Sequence, residues 1–210
     1  ETTDDELHEN LVKLQMEGAT ELILDLRDNP GGLLDQAVAV SNKFLKKGSL
    51  IVSTRGRTDS SDYDYHANRA SSHSKIPLVV LVSRGSASAS EIVSGAIQDH
   101  DRGLIVGETT FGKGLVQSIY RISEGNGLAL TTAQYFTPSG RNIQRDYSDS
   151  FDDYYYSARS DESEPPSGEV KHTDAGRKVY GGGGISPDLQ VAYPRLPKPI
   201  LALNSRNAFF

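Results

Sequence analysis

The stretch Ile76–Gly107, "IPLVVLVSRGSASASEIVSGAIQDHDRGLIVG", decides the fold. It opens with an unbroken apolar run, Ile76–Ser83, as expected of a strand covered on both faces. A polar, Ser-rich corner follows, and then an apolar helical pattern over Ala89–Gln98. "GLIVG" (Gly103–Gly107) reads as the next strand. Strand, helix, strand at this spacing is a crossover unit with parallel pairing.

The same alternation extends toward the start. Leu7, Leu11 and Leu14 recur at helical spacing behind Thr3 and Asp4, and Gly18 stops that helix. "ELILDLR" (Glu21–Arg27) is a strand and "DNPGG" (Asp28–Gly32) a sharp turn. Ala37, Val38, Val40, Phe44 and Leu45 make a second amphipathic helix, and "SLIVST" (Ser49–Thr54) a further strand. Asp59–Ser74 is polar and reads as a loop. After Gly114 the pattern changes: "LVQSIYRIS" and "GLALTTAQYFT" flank "EGNG", a hairpin signal. The expected fold class is therefore α/β, a mostly parallel sheet with flanking helices and late antiparallel strands. We divide the chain into a core over residues 1–145, an acidic Tyr/Ser-rich insertion over 146–175, a returning strand over 176–194 that includes "ISPDLQVAY", and a Pro-punctuated tail over 195–210. The apolar end of that tail is expected to dock on something.

Composition narrows the function. The 210 residues carry a net charge of −6, which argues against nucleic acid as a partner. There is no cysteine, so disulfides, thiolate nucleophiles and Cys-type zinc sites are all excluded. The five histidines form no metal-binding spacing, and no cofactor is implied. No apolar run approaches the roughly 18 residues of a membrane span. The opening "ETTDDELHEN" shows no export signal and resembles the interior of a domain, so the chain is expected to be part of a longer protein.

In open α/β sheets ligands bind beyond the carboxyl ends of the strands. Three loops leave such ends: "DNPGG", "RGSASAS" and "GETTFGKG" (Gly107–Gly114). The glycines of the first serve a tight turn, or present N–H groups to a developing oxyanion. The second sets Ser86, Ser88 and Ser90 at a strand-to-helix corner, near free N–H groups and the positive end of a helix dipole. N-capping explains such serines equally well, and local rules do not choose among the three. The third frames Lys113 between glycines, with Gln117 four residues on. A lone lysine is usually a solvated charge. One shielded from water beside a serine gives up its proton and can serve as a base. His100 falls at the far end of the helix and suits its C-terminus better than a catalytic role.

Together the loops resemble the C-terminal processing, or tail-specific, serine peptidases of family S41. "LILDLRDNPGG", "PLVVLVSRGSASASEI", "GLIVGETTFGKGLVQ", "YFTPSGRNIQ" and "GISPD" occur in the family's order. The resemblance implies a ClpP/crotonase-like core and an endopeptidase with an acyl-enzyme intermediate. It implies Ser88 as nucleophile, Lys113 as base, Gln117 as its support, and the N–H groups of Gly32 and Ala89 as the oxyanion hole. A protein or peptide substrate would lie as an extended strand, with Gly31, Leu33, Thr131 and Thr137 as candidate contacts. The resemblance also implies a PDZ domain elsewhere in the full-length chain, room for a homo-oligomer, and a bacterial envelope location. A non-catalytic peptide-binding domain of the same fold is the alternative.

Overall fold

The computed structural model describes residues 2–71, 73–146 and 168–192. Most of the acidic insertion and all of the 195–210 tail named above lie outside the described residues. Helix α1 (Thr3–Met16) leads into strand β1 (Leu22–Asp25), helix α2 (Leu34–Asn42) and β2 (Leu50–Gly56). Then come β3 (Tyr63–His66), β4 (Leu78–Val82), helix α3 (Ala89–Asp99) and β5 (Leu104–Gly107). The hairpin β6 (Leu115–Arg121) and β7 (Gly127–Phe136) follows, then β8 (Val170–His172), β9 (Lys178–Tyr180) and β10 (Leu189–Gln190). The chain is a mixed α/β protein. A parallel sheet runs β1-β4-β5-β10, an antiparallel sheet runs β3-β2-β7-β6, and β8 and β9 form a separate pair.

The parallel unit is where the apolar pattern puts it. β4 pairs with β1 and β5, Val80 lying between Leu24 and Ile105. Helix α3 is the pivot of the molecule, with Ser90 through Asp99 all buried. Its apolar residues Ile92, Val93 and Ile97 join Phe44, Leu45, Ile51, Val80, Ile105 and Ile185 in one core. β10 returns to pair in parallel with β5, as a two-residue strand shorter than "ISPDLQVAY" suggests.

Three expectations are corrected. "SLIVST" does not join the parallel sheet. β2 pairs antiparallel with β3 and β7 instead. Its residues Ile51–Thr54 are buried in succession, and β7 supplies the ladder that an isolated crossover would have lacked. The segment Asp59–Ser74 is not simply a loop, because Tyr63 and Tyr65 alternate with polar residues in β3 and their rings meet edge-on at 4.6 Å. Aromatic residues on a pleated, half-exposed strand are a usual strand signal, masked here by the polar composition around them. Third, the parallel sheet is packed on one face only among the described residues. Ile23 and Leu104, on its other face, are exposed.

The "TPSGRNIQ" segment crosses back over the end of α3 through a buried ion pair. Arg141 and Asp99 are each about 1% exposed and hydrogen-bonded to each other. Arg141 also donates to Gln98 Oε1 at 3.0 Å, and Asp99 accepts the Ser139 N–H at 2.9 Å. Removing one partner strands the other charge in the core, so Arg141→Ala should lower unfolding free energy by about 3–5 kcal/mol in a denaturant titration.

Candidate active site

The three loops meet at the carboxyl end of the parallel sheet, and side-chain hydrogen bonds fix each to the next. Asp28 and Ser83 tie the first to the second: the Asp28 N–H donates to Ser83 Oγ, and that hydroxyl donates to Asp28 Oδ1, both at 2.9 Å. The Ala87 N–H reaches the Asn29 carbonyl at 3.0 Å. The third loop hangs from the second through Phe111 N–H to the Ser86 carbonyl at 2.9 Å.

This network separates the three serines. Ser86 is fully buried and donates to the Leu26 carbonyl at 2.6 Å. Ser90 donates to the Asn29 carbonyl at 3.1 Å. Both hydroxyls are anchors. Ser88 is half-buried, occupies the N-cap of α3 and has φ 54° and ψ −115°. A non-glycine residue there is strained by about 1–3 kcal/mol, and such strain clusters at functional corners.

Gly31 and Gly32 differ in a similar way. Gly31 has φ 88°, and its N–H is taken by Asn29 Oδ1 at 2.9 Å. A Cβ on Gly31 would stand 2.5 Å from the Ala87 carbonyl oxygen and 2.6 Å from the Ala89 nitrogen. The first loop therefore lies directly against the serine corner. Gly32 is exposed, a Cβ there would meet nothing within 4 Å, and among the described residues its N–H has no protein acceptor. The Ala89 N–H is likewise without one. Gly31→Ala should cost about 2–4 kcal/mol from backbone strain and overlap. Gly32→Ala should stay within about 1 kcal/mol of the parent. Thermal melts of the two variants check both values.

The residue that organises the site was not singled out from the sequence. Glu91 is completely buried. Its Oε2 accepts the Ser88 N–H and the Lys113 N–H, each at 2.8 Å. Its Oε1 accepts the Gly112 N–H at 2.7 Å and the Thr110 hydroxyl at 2.5 Å. The main-chain nitrogens of Ser88 and Lys113 are thus no further apart than two hydrogen-bond lengths. Burial pushes the Glu91 carboxyl above the usual carboxylate range, and these four donors pull against that shift. The available signal was the capping-box spacing Ser88-x-x-Glu91, which reads locally as an ordinary helix start.

The remaining candidates are placed as follows. Lys113 is exposed, so the expected shielding of its amine is not met by the described residues. Gln117 is also exposed, on β6 opposite Thr131, just past a register shift after Val116. Among the described residues no hydrogen bond joins it to Lys113. Leu33 is 55% exposed beside Gly32. Thr137 is buried, with its methyl group close to Gly95. From Ala133 to Phe136, β7 is paired with β2, so only its Gly127–Thr132 half, Thr131 included, lies beyond that pairing. Among the described residues no group of His, Asp and Glu is arranged to hold a metal.

An α/β sheet that holds a strained serine at a strand-to-helix corner, with the free N–H groups of Gly32 and Ala89 at that corner, has the layout of a serine-type peptidase. Residues 1–149 match Peptidase family S41, and the chain belongs to that family. It is 54% identical over 122 residues to a carboxy-terminal-processing protease of Bartonella bacilliformis, covering 58% of this chain and 28% of that protein. It is 44% identical over 135 residues to a chloroplastic C-terminal processing peptidase of Tetradesmus obliquus, covering 63% of this chain and 28% of that protein. Among solved structures, a photosystem II D1 C-terminal processing protease superposes with a TM-score of 0.67 at 34% identity, over 93% of this chain and 41% of that one. The chain thus spans less than a third of the length of these two curated relatives. Among the described residues no helix is long and apolar enough to cross a membrane.

Proposed function

We propose that this chain is the catalytic core of a serine endopeptidase that cuts polypeptides near their C-termini, with Ser88 as nucleophile and Lys113 as general base. The observation that carries the reading is the shared Glu91 carboxylate, which clamps the main chain of both residues side by side. In this mechanism Ser88 Oγ attacks the scissile carbonyl while the Lys113 amine accepts the hydroxyl proton. The amine returns that proton to the leaving nitrogen, and water then releases the acyl group from Ser88. The N–H groups of Gly32 and Ala89 receive the developing oxyanion, each contributing about 3 kcal/mol to the lowered barrier. Gln117 steadies the amine.

The exposure of Lys113 adds a requirement. For proton transfer to proceed there, the substrate itself must cover the amine and expel the water around it. An extended peptide running past Gly31 and Leu33 and along Thr131 would do so, held by main-chain hydrogen bonds. The C-terminal preference rests on the names of the relatives. A ClpP/crotonase-like core, a substrate-capturing PDZ domain in the full-length protein, self-association and work in the bacterial envelope belong to this proposal through the resemblance of the loop motifs alone. The exposed amine is also what favours the rival reading, a peptide-binding domain without catalysis.

Lys113→Met separates the two readings. It should fold with native circular dichroism and cleave no peptide. Turnover at the wild-type rate would overturn the assignment of Lys113 as base.

A further inference from the structure

The main chain at Lys113 is held from two sides. Glu91, on α3, accepts the N–H groups of Gly112 and Lys113. The next N–H, that of Gly114, goes to another side chain: Gln144 Oε1 accepts it at 2.8 Å. Gln144 is 8% exposed and closes the "TPSGRNIQ" segment that follows β7. Its amide is oriented in turn, because Nε2 donates to the Arg145 carbonyl at 2.7 Å and so leaves the oxygen for Gly114. The Gln144 main-chain N–H donates to Asn142 Oδ1 at 2.8 Å, and Asn142 Nδ2 donates to Gln134 Oε1 on β7 at 2.8 Å.

The glycines that frame Lys113 show how closely this segment passes. Gly112 has φ 85°, and a Cβ there would stand 2.8 Å from Arg145 Cβ. A Cβ on Gly114 would stand 2.7 Å from the Gln144 nitrogen. The Arg145 N–H donates to the Gly112 carbonyl at 2.9 Å, and the Gly114 carbonyl accepts the Tyr135 N–H at 2.7 Å. A peptide unit is planar, so the direction of a Cα–Cβ bond is set by the two peptide planes on either side of it. At Lys113 the plane before Cα carries the N–H held by Glu91, and the plane after it carries the N–H held by Gln144. Lysine has a long flexible stem, so the root of the side chain is where the backbone can aim the amine.

We propose that Gln144 is a positioning residue for Lys113: it fixes the peptide plane after the lysine as Glu91 fixes the plane before it, and together they aim the amine toward Ser88. The proposal rests on the reading of Lys113 as the base. In the intact protein, with a fluorogenic peptide as substrate, Gln144→Ala should lower kcat by about 10- to 100-fold and leave KM within about twofold. Gln144→Glu keeps an oxygen at the Gly114 N–H and gives up only the donor to the Arg145 carbonyl. It should melt below the parent yet hold kcat within about threefold of it. Parent kcat in Gln144→Ala would overturn the proposal. So would a kcat that falls in both variants in step with the thermal midpoint, the mark of a structural support. Lys113→Met keeps the test apart from the reading beneath it. Its turnover at the parent rate would sink the base and the role of Gln144 together. An inert Lys113→Met beside a fully active Gln144→Ala would overturn the role of Gln144 alone.

Discussion

Ser88→Gly should give a protein that is more stable than the parent and inert as a peptidase. Serine at φ 54° and ψ −115° is held in a conformation that glycine adopts freely. Glycine is also nearly as good an N-cap as serine, so little capping energy is lost. The expected gain is about 1 kcal/mol, read as a rise in the thermal midpoint. Activity should fall on the order of 10⁴-fold or more, because the hydroxyl of the proposed nucleophile is gone. Ser88→Ala should be equally inactive without the gain, since alanine keeps the Cβ that causes the strain. If both variants lost stability together, the corner would be a structural cap and not a site under strain.

Glu91→Ala should be the most damaging substitution on α3. It removes the acceptor for three main-chain N–H groups and the Thr110 hydroxyl in a site closed to water. Each buried donor left unpaired costs about 1–3 kcal/mol, so a loss of about 4 kcal/mol or more is expected in denaturant titration. Glu91→Gln keeps one acceptor oxygen but turns an NH₂ group toward donors, so it should fold, with the Ser88 and Lys113 loops released from each other. Amide hydrogen exchange at Ser88 and Lys113 should then accelerate while the β4 and β5 amides stay protected. Uniform acceleration across the sheet would mean that Glu91 supports the core generally and not these loops.

Much of this arrangement was legible in local pattern. The unbroken run of β4, the amphipathic α3 and the "EGNG" hairpin are each set by short-range periodicity and turn chemistry, and all three stand where the sequence puts them. β2 was misassigned because an apolar run does not say which sheet will pair with it, and its partners lie far off at β3 and β7. The choice of Ser88 over its neighbours was not local either. It came from the family resemblance, and in the fold the Leu26 and Asn29 carbonyls take the hydroxyls of Ser86 and Ser90. Glu91 was hidden for the same reason: a glutamate on a helix reads as solvated until the third loop folds over it. The environment of Lys113 was the least legible, because shielding depends on what lies above the loop and not on the glycines that frame it.

The central claim is that Ser88 is a nucleophile activated by Lys113. Its most direct test is the site and rate of modification by a serine-directed fluorophosphonate, followed by mass spectrometry. The account predicts one labelled residue, Ser88, with a rate that collapses in Lys113→Met. Labelling elsewhere, no labelling, or an unchanged rate in Lys113→Met would contradict it.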